Sequence, residues 1–256
     1  MMNIKVKKIC KDSNEKYHKS KSISASGLKT ISAKSPSEYV NKTFTTNKNV
    51  ELGSAIHTYI LEPYNFKDEF YIMPNLDLRT KVGRELKQAH LVEANGKILL
   101  TKKDMDLLDQ IKEAFKNNAE ANELLNNKIE ISYYGEIDDV PVRCRPDIVA
   151  DDFIVDLKSC QDASPFEFMK TAKHWRWYLQ AVFYSDFLQM SAEKFKFIAI
   201  SKTEKPRVEV YGIMDKNIDL GRWQWKEALS RWKFYLDTGL CPGEYWTNFR
   251  NNTKLI

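Results

Sequence analysis

The chain has 256 residues, 43% of them hydrophobic and 12% aromatic, with a net charge of +5. That length suits one large globular domain or two small ones, and no apolar run approaches the ~18 residues of a membrane span. Four cysteines (Cys10, Cys144, Cys160 and Cys241) form no C-x-x-C pair, which argues against a zinc or iron–sulfur site and for free thiols in a reducing cytoplasm. The charge is uneven. Residues 1–50 carry eleven Lys against three acids, a net +8, which leaves about −3 for the rest.

Residues 1–22 read as an irregular, flexible, basic arm that either touches DNA phosphates or is simply solvated, and the first residues lack the apolar stretch of a secretory signal. Ser24 or Ser26 caps a short helix, and Ser35-Pro36 opens a second one through Val40. A helix over 51–62 ends at Pro63. It carries Gly53 and His57 on one face, four residues apart, so a backbone can approach at the glycine. A lone helical His is most often structural, and it becomes a ligand candidate when acids lie nearby. Residues 75–95 are rich in charge, with Arg79, Lys81 and Arg84 forming either a phosphate patch or a solvated loop. Apolar positions from Met105 to Leu125 fit one amphipathic helix over 103–126.

Strands are expected at 129–137, 141–150 and 153–159. The stretch Arg145-Pro-Asp147-Ile-Val-Ala-Asp-Asp-Phe-Ile-Val-Asp156-Leu-Lys158 is the most informative in the chain. Asp151-Asp152 reads as a tight turn, so Asp147, late in one strand, lies beside Asp156 in the next. Lys158, two residues on, shares the face of Asp156. Two carboxylates and an ammonium on one sheet face suit a hard divalent cation beside a scissile phosphate. A lone D-x-K triplet is more often a surface ion pair. Against that, the flanking Ile148, Val149, Phe153, Ile154, Val155 and Leu157 make these strands central, and Pro146 removes a ladder donor. Glu130 opens the preceding strand as a direct ligand, a ligand through water, or a strand-edge acid. Helices near 165–173 and 175–190, strands at 194–201 and 206–213, and a helix at 216–237 complete the order. Gln180 and Tyr184 share a face of the 175–190 helix, where both can hydrogen-bond a phosphate or a bound water, or Tyr184 simply packs in the core. The aromatic tail from Cys241 to Trp246 is expected to pack on the core. The fold class is α/β (α+β), with a central mixed sheet flanked by helices.

Several motifs run in one order. They are Ser24-Ala-Ser-Gly-Leu-Lys29, Ser35-Pro36, Leu52-Gly-Ser-Ala-Ile-His57, Leu61-Glu-Pro63 and Arg79-Thr-Lys81, then Arg145-Pro-Asp147, Val155-Asp-Leu-Lys158, Asp162-Ala-Ser-Pro165 and Gln180-Ala-Val-Phe-Tyr184. The ordered set resembles the phage-type exonuclease VIII (RecE-like) family of the PD-(D/E)XK nuclease superfamily. The resemblance implies a restriction-endonuclease-like core, a single exonuclease domain over 23–256, and a Mg²⁺-dependent enzyme in which Mn²⁺ substitutes. Such an enzyme degrades one strand of linear duplex DNA 5′ to 3′ and leaves a 3′ tail for a RecT-like annealing protein. It further implies a homo-oligomeric ring, a tetramer, in a phage or prophage protein of the bacterial cytoplasm. By the same resemblance His57, Asp147, Asp156 and the Leu157 carbonyl are metal ligands, with Glu130 as an additional candidate. Lys158 is the catalytic lysine, Gln180 and Tyr184 support the site, and Ser26, Lys29, Arg79, Lys81 and Arg84 contact DNA. Three rivals remain. One is a single-strand nuclease of the RecB or Cas4 type, the second a non-catalytic DNA-end-binding accessory protein, and the third a sugar or protein hydrolase, which leaves Lys158 unexplained.

Overall fold

Capping side chains set most helix boundaries of this chain. In a computed structural model, which describes residues 2–43, 45–125 and 128–241, strand β1 (Ile4–Cys10) leads to α1 (Asn14–Lys19), capped by Ser13. Ser24 caps α2 (Ala25–Ala33), and Ser35 caps α3 (Pro36–Val40), with Pro36 in its first turn. Asn47 caps α4 (Lys48–Leu61), which stops two residues short of Pro63 because that ring cannot continue the ladder. Next come α5 (Phe66–Glu69), β2 (Phe70–Ile72), α6 (Lys81–Ala94), β3 (Ile98–Leu100), α7 (Lys102–Lys116) and α8 (Ala119–Leu124). Strands β4 (Lys128–Ile129), β5 (Ser132–Ile137), β6 (Val140–Cys144), β7 (Ile148–Val149) and β8 (Ile154–Cys160) follow. The rest is α9 (Pro165–His174), α10 (Trp177–Phe187), β9 (Phe195–Ser201), β10 (Val208–Tyr211) and α11 (Asp215–Thr238).

The central sheet has five strands in the order β10-β9-β8-β7-β4. The β8–β9 pair is parallel and its flanking pairs are antiparallel, so the sheet is mixed. Alternation along a strand sends successive side chains to opposite faces, and two cores follow from it. Ile154 and Cys160 of β8 and Phe195, Phe197 and Ala199 of β9 join the core under α2, α9, α10 and α11. Val155, Leu157, Ile198 and Ile200 join the core under α4, α7 and α8. Helix α10 is buried at every position but Asp186, as an all-round apolar helix must be.

Several expectations are corrected. Residues 1–22 are not an irregular arm. β1 pairs antiparallel with β5, in a second sheet of order β1-β5-β6, and α1 buries Tyr17. The charged segment 75–95 is largely helix α6, whose first turn is closed by the Thr80 hydroxyl. The 103–126 helix breaks after Lys116, where Asn118 caps α8 and accepts from the Ala121 amide. The strands expected over 129–137 and 141–150 are each split between two sheets. Glu130 takes a left-handed backbone (φ 54°) between β4 and β5, and Arg145-Pro146-Asp147 interrupts β6 and β7. Asp147 therefore precedes its strand instead of lying late in it. The parallel pair β2–β3 was not expected. The aromatic tail beyond Cys241 lies outside the described residues. Among the described residues no helix is long and apolar enough to cross a membrane.

Candidate active site

The site forms at the mouth of the β7–β8 hairpin. Ile148 stands opposite Val155, and Val149 opposite Ile154. The hairpin closes around Asp151-Asp152 through the Ala150 amide, which donates to the Phe153 carbonyl at 3.0 Å. One step out in this register Asp147 comes opposite Asp156, and both are buried. Pro146 has no amide to extend the ladder, so the pairing stops here. The Leu157 N–H donates to the Asp147 carboxylate instead. The Asp147 carbonyl accepts from the Glu130 amide at 3.0 Å, which fixes the positive-φ Glu130 beside it.

His57 arrives on α4 from the other side of the sheet. A Cβ at Gly53 would stand 3.2 Å from Ser159 Oγ, so the glycine lets α4 lie close on β8. One turn further along, His57 Nδ1 sits 3.6 Å from Asp147 Oδ2. His57, Glu130 and Asp147 each offer one ligand atom, all within 4.8 Å of one another. An imidazole nitrogen and two carboxylates are a donor set that suits a small divalent cation.

Asp156 belongs to a linked second cluster. Its Oδ2 pairs with the Lys158 ammonium. Its Oδ1 accepts from Gln180 Nε2 at 3.0 Å, and the same nitrogen lies 3.3 Å from the Tyr184 hydroxyl. Gln180 Oε1 accepts from Lys29 Nζ at 2.9 Å and from Lys158 Nζ at 3.4 Å. One amide thus clamps a carboxylate on one side and two ammonium groups on the other. Lys158 also lies 5.5 Å from the centre of the Trp177 ring, a favourable seat for a cation.

The charges are crowded and poorly hydrated. Burial pushes the Glu130 carboxyl up to about 9, and the neighbouring Asp147 charge pushes the same way. Burial, then the Asp156 charge, raises Asp147 to about 6 against the opposing pull of His57 and Lys158. Burial, then the positive charge of Lys158, lowers Lys29 to about 7. Groups that repel when ionised and carry lone pairs into one corner are what a cation would relieve. Arg145 supplies part of that relief, with Nε 3.9 Å from Glu130 Oε2. It is held by Ser132 Oγ at 2.9 Å and Asn14 Oδ1 at 2.7 Å, and it stacks over Tyr17 at 4.2 Å.

The structure therefore brings together His57, Glu130 and Asp147, and next to them Asp156, Lys158, Gln180 and Tyr184. The Leu157 amide is in the cluster and its side chain is fully buried. Lys29, expected as a DNA contact, donates to Gln180 and so joins the cluster around Asp156. Ser26 is exposed and lines an adjoining groove. Arg79, Lys81 and Arg84 are engaged locally at the start of α6. Arg79 pairs with Asp77 at 2.9 Å, Lys81 with Glu85 at 3.8 Å, and Arg84 donates to the Arg79 carbonyl at 3.2 Å. Sequence reading missed Trp177 and the roles of Arg145 and Lys29. The signal for the first was Trp175-Arg-Trp177 at a junction of two helical patterns. Lys29 depends on Gln180, 151 residues away, and Arg145 is held toward Glu130 partly by Asn14, 131 residues away.

The family described as a PDDEXK-like domain of unknown function (DUF3799) matches residues 24–244. No curated protein matches the chain. Among solved structures, one described as a "putative exonuclease" from Eubacterium rectale superposes with a TM-score of 0.62 at 14% identity. It covers 96% of this chain and 95% of that one. A second, described as SSO0001, aligns over 86% of this chain and 96% of that one at 13% identity, with a TM-score of 0.28, too low for any argument.

Proposed function

The chain belongs to this PDDEXK-like family, and from that premise we propose that it is a Mg²⁺-dependent exodeoxyribonuclease that resects linear duplex DNA 5′ to 3′. The fold is of the nuclease type. The metal-dependent, catalytic part of the reading is carried by one observation, the convergence of His57, Glu130 and Asp147 beside the Asp156–Lys158–Gln180 cluster at a single hairpin mouth. A sugar or protein hydrolase needs only a carboxylate pair, and a binding module needs neither that pair nor Lys158.

In this reading His57, Asp147 and Asp156 hold the ion, with the Leu157 carbonyl and Glu130 as further oxygen donors. A bound divalent ion would lower the pKa of an attacking water and neutralise phosphate charge. The imidazole donor also admits Mn²⁺. Lys158 orients the nucleophile or stabilises charge on the phosphoryl oxygens. Gln180 holds Asp156 and Lys158 in their relative positions, and Tyr184 anchors Gln180. The strand polarity, the toroidal tetramer, the bacterial cytoplasm of a phage host and delivery of the 3′ tail to a RecT-like annealing protein complete the proposal. These rest on the resemblance of the ordered motifs.

The test uses linear duplex labelled separately at each end, with Mg²⁺, beside Lys158→Ala and a closed circular control. Release of 5′-terminal nucleotides from the linear form alone is expected, with the variant slower by on the order of 10²–10⁴-fold. Cutting of the circle, or a preference for single strands, would move the assignment to the single-strand rival. Binding without cleavage would leave only the accessory role.

A further inference from the structure

A groove of about 1330 Å³ opens beside the reaction cluster. Its lining includes Lys29, Gly53 and Ser159. Lys29 Nζ is 2.9 Å from Gln180 Oε1, and Gln180 Nε2 is 3.0 Å from Asp156 Oδ1. A hydrogen-bond chain thus joins the groove's lining to the Asp156 carboxylate. That lining is cationic. Lys34 and Glu38 answer each other at 3.2 Å, which leaves Lys42, Arg176 and Lys202 as an excess of positive charge along it. Such a stripe suits a polyanion.

The lining also carries an exposed aromatic, Trp175. Trp175 closes α9 and Trp177 opens α10. Between them Arg176 holds a left-handed backbone, φ 52°, which a non-glycine residue rarely adopts. That junction turns the chain so that Trp177 is buried while Trp175 stays 59% exposed. The His174 ring meets the Trp175 indole edge-to-face at 4.8 Å and props it. Disfavoured backbone that presents a large apolar side chain to water is a feature of binding sites.

We infer that this groove carries a single DNA strand to the metal-site cluster, with one unpaired base stacked on Trp175. The direction toward the cluster rests on the nuclease reading. A single strand fits better than a duplex because an indole can stack only on a base whose face is free, and paired bases inside a duplex are already stacked. The cations track the backbone while the aromatic holds a base regardless of its identity. The protein therefore engages an end that has already been opened over the nucleotides nearest the reacting phosphate.

The test is binding of a fluorescein-labelled oligothymidylate, and of a duplex closed by hairpins at both ends, in EDTA. It compares the unmodified protein with Trp175→Ala, Trp175→Phe and Lys202→Gln. Trp175→Ala is expected to weaken single-strand binding by about tenfold with little effect on the closed duplex, and Trp175→Phe to keep most of the affinity. Lys202→Gln is expected to reduce the salt dependence by about one phosphate contact. An unchanged melting temperature shows that the variants fold. Equal single-strand affinity in all three variants overturns the inference. Cleavage of linear DNA in Mg²⁺ is measured in parallel. Cleavage with Trp175-independent binding sinks the groove and keeps the nuclease. Trp175-dependent binding without cleavage keeps the groove and sinks the nuclease.

Discussion

Glu130 and Asp147 share a corner with too little water and too few cations. Asp147 titrates near 6 instead of 3.8, and Glu130 near 9 instead of 4.5. The folded protein therefore keeps protons that the unfolded chain has released, so the stability of the metal-free protein falls as pH rises from 3.8 to 6 for Asp147 and from 4.5 to 9 for Glu130. Metal must displace those protons. Mg²⁺ affinity is expected to climb between pH 6 and pH 9, the interval between the two raised values. Calorimetric titration in two buffers of different ionisation enthalpy should show proton release that fades toward the upper end. Asp147→Asn should flatten the stability loss and remove the Mg²⁺-induced rise in Tm. A Tm rise that survives this substitution would place the ion elsewhere.

Helix α4 reaches the hairpin only because Gly53 leaves room over Ser159. With a Cβ placed 3.2 Å from Ser159 Oγ, alanine at this position is tight. Gly53→Val should push α4 off β8, destabilise the fold by about 1–3 kcal/mol, and carry His57 away from Asp147, which weakens Mg²⁺ binding. Ser159→Ala in the same chain should recover part of both losses. The pair is in contact, so a double-mutant cycle reads the coupling directly. Additive effects of the two substitutions would mean that His57 is positioned by something other than this contact.

The molecule closes its site with a segment from the far end of the chain. β1 covers one edge of β5. The carbonyl of Asp12 and the side chain of Asn14 hold Arg145, the guanidinium that faces Glu130. Deleting residues 1–14 should therefore do two things. It exposes the β5 edge, which lowers the urea midpoint and promotes association. It also frees Arg145, which alters metal affinity even where the remaining domain stays folded. A truncated protein with an unchanged midpoint would show that β1 contributes nothing to the fold.

The chain alone determined the hairpin of Asp147, Asp156 and Lys158, the helix starts near Ser24 and at Ser35-Pro36, and the approach of α4 at Gly53 with His57 one turn on. These rest on local rules: the two-residue period of a strand, a two-residue turn, and the four-residue spacing of a helix face. The same rules encode what each segment presents and say nothing of which distant segment receives it. Residues 129–137 and 141–150 read as plain strands, yet Glu130 and Arg145-Pro146 divide each between two sheets. Only competition between the two cores decides that division. The lysine-rich start reads as solvated because its partner β5 lies more than a hundred residues away, and strand pairing depends on that partner. The contacts of Lys29 with Gln180 and of Arg145 with Asn14 span 151 and 131 residues. Sequence spacing carries no signal for them, because the packing of α2 against α10 and of the first strand against the second sheet is what brings those charges together.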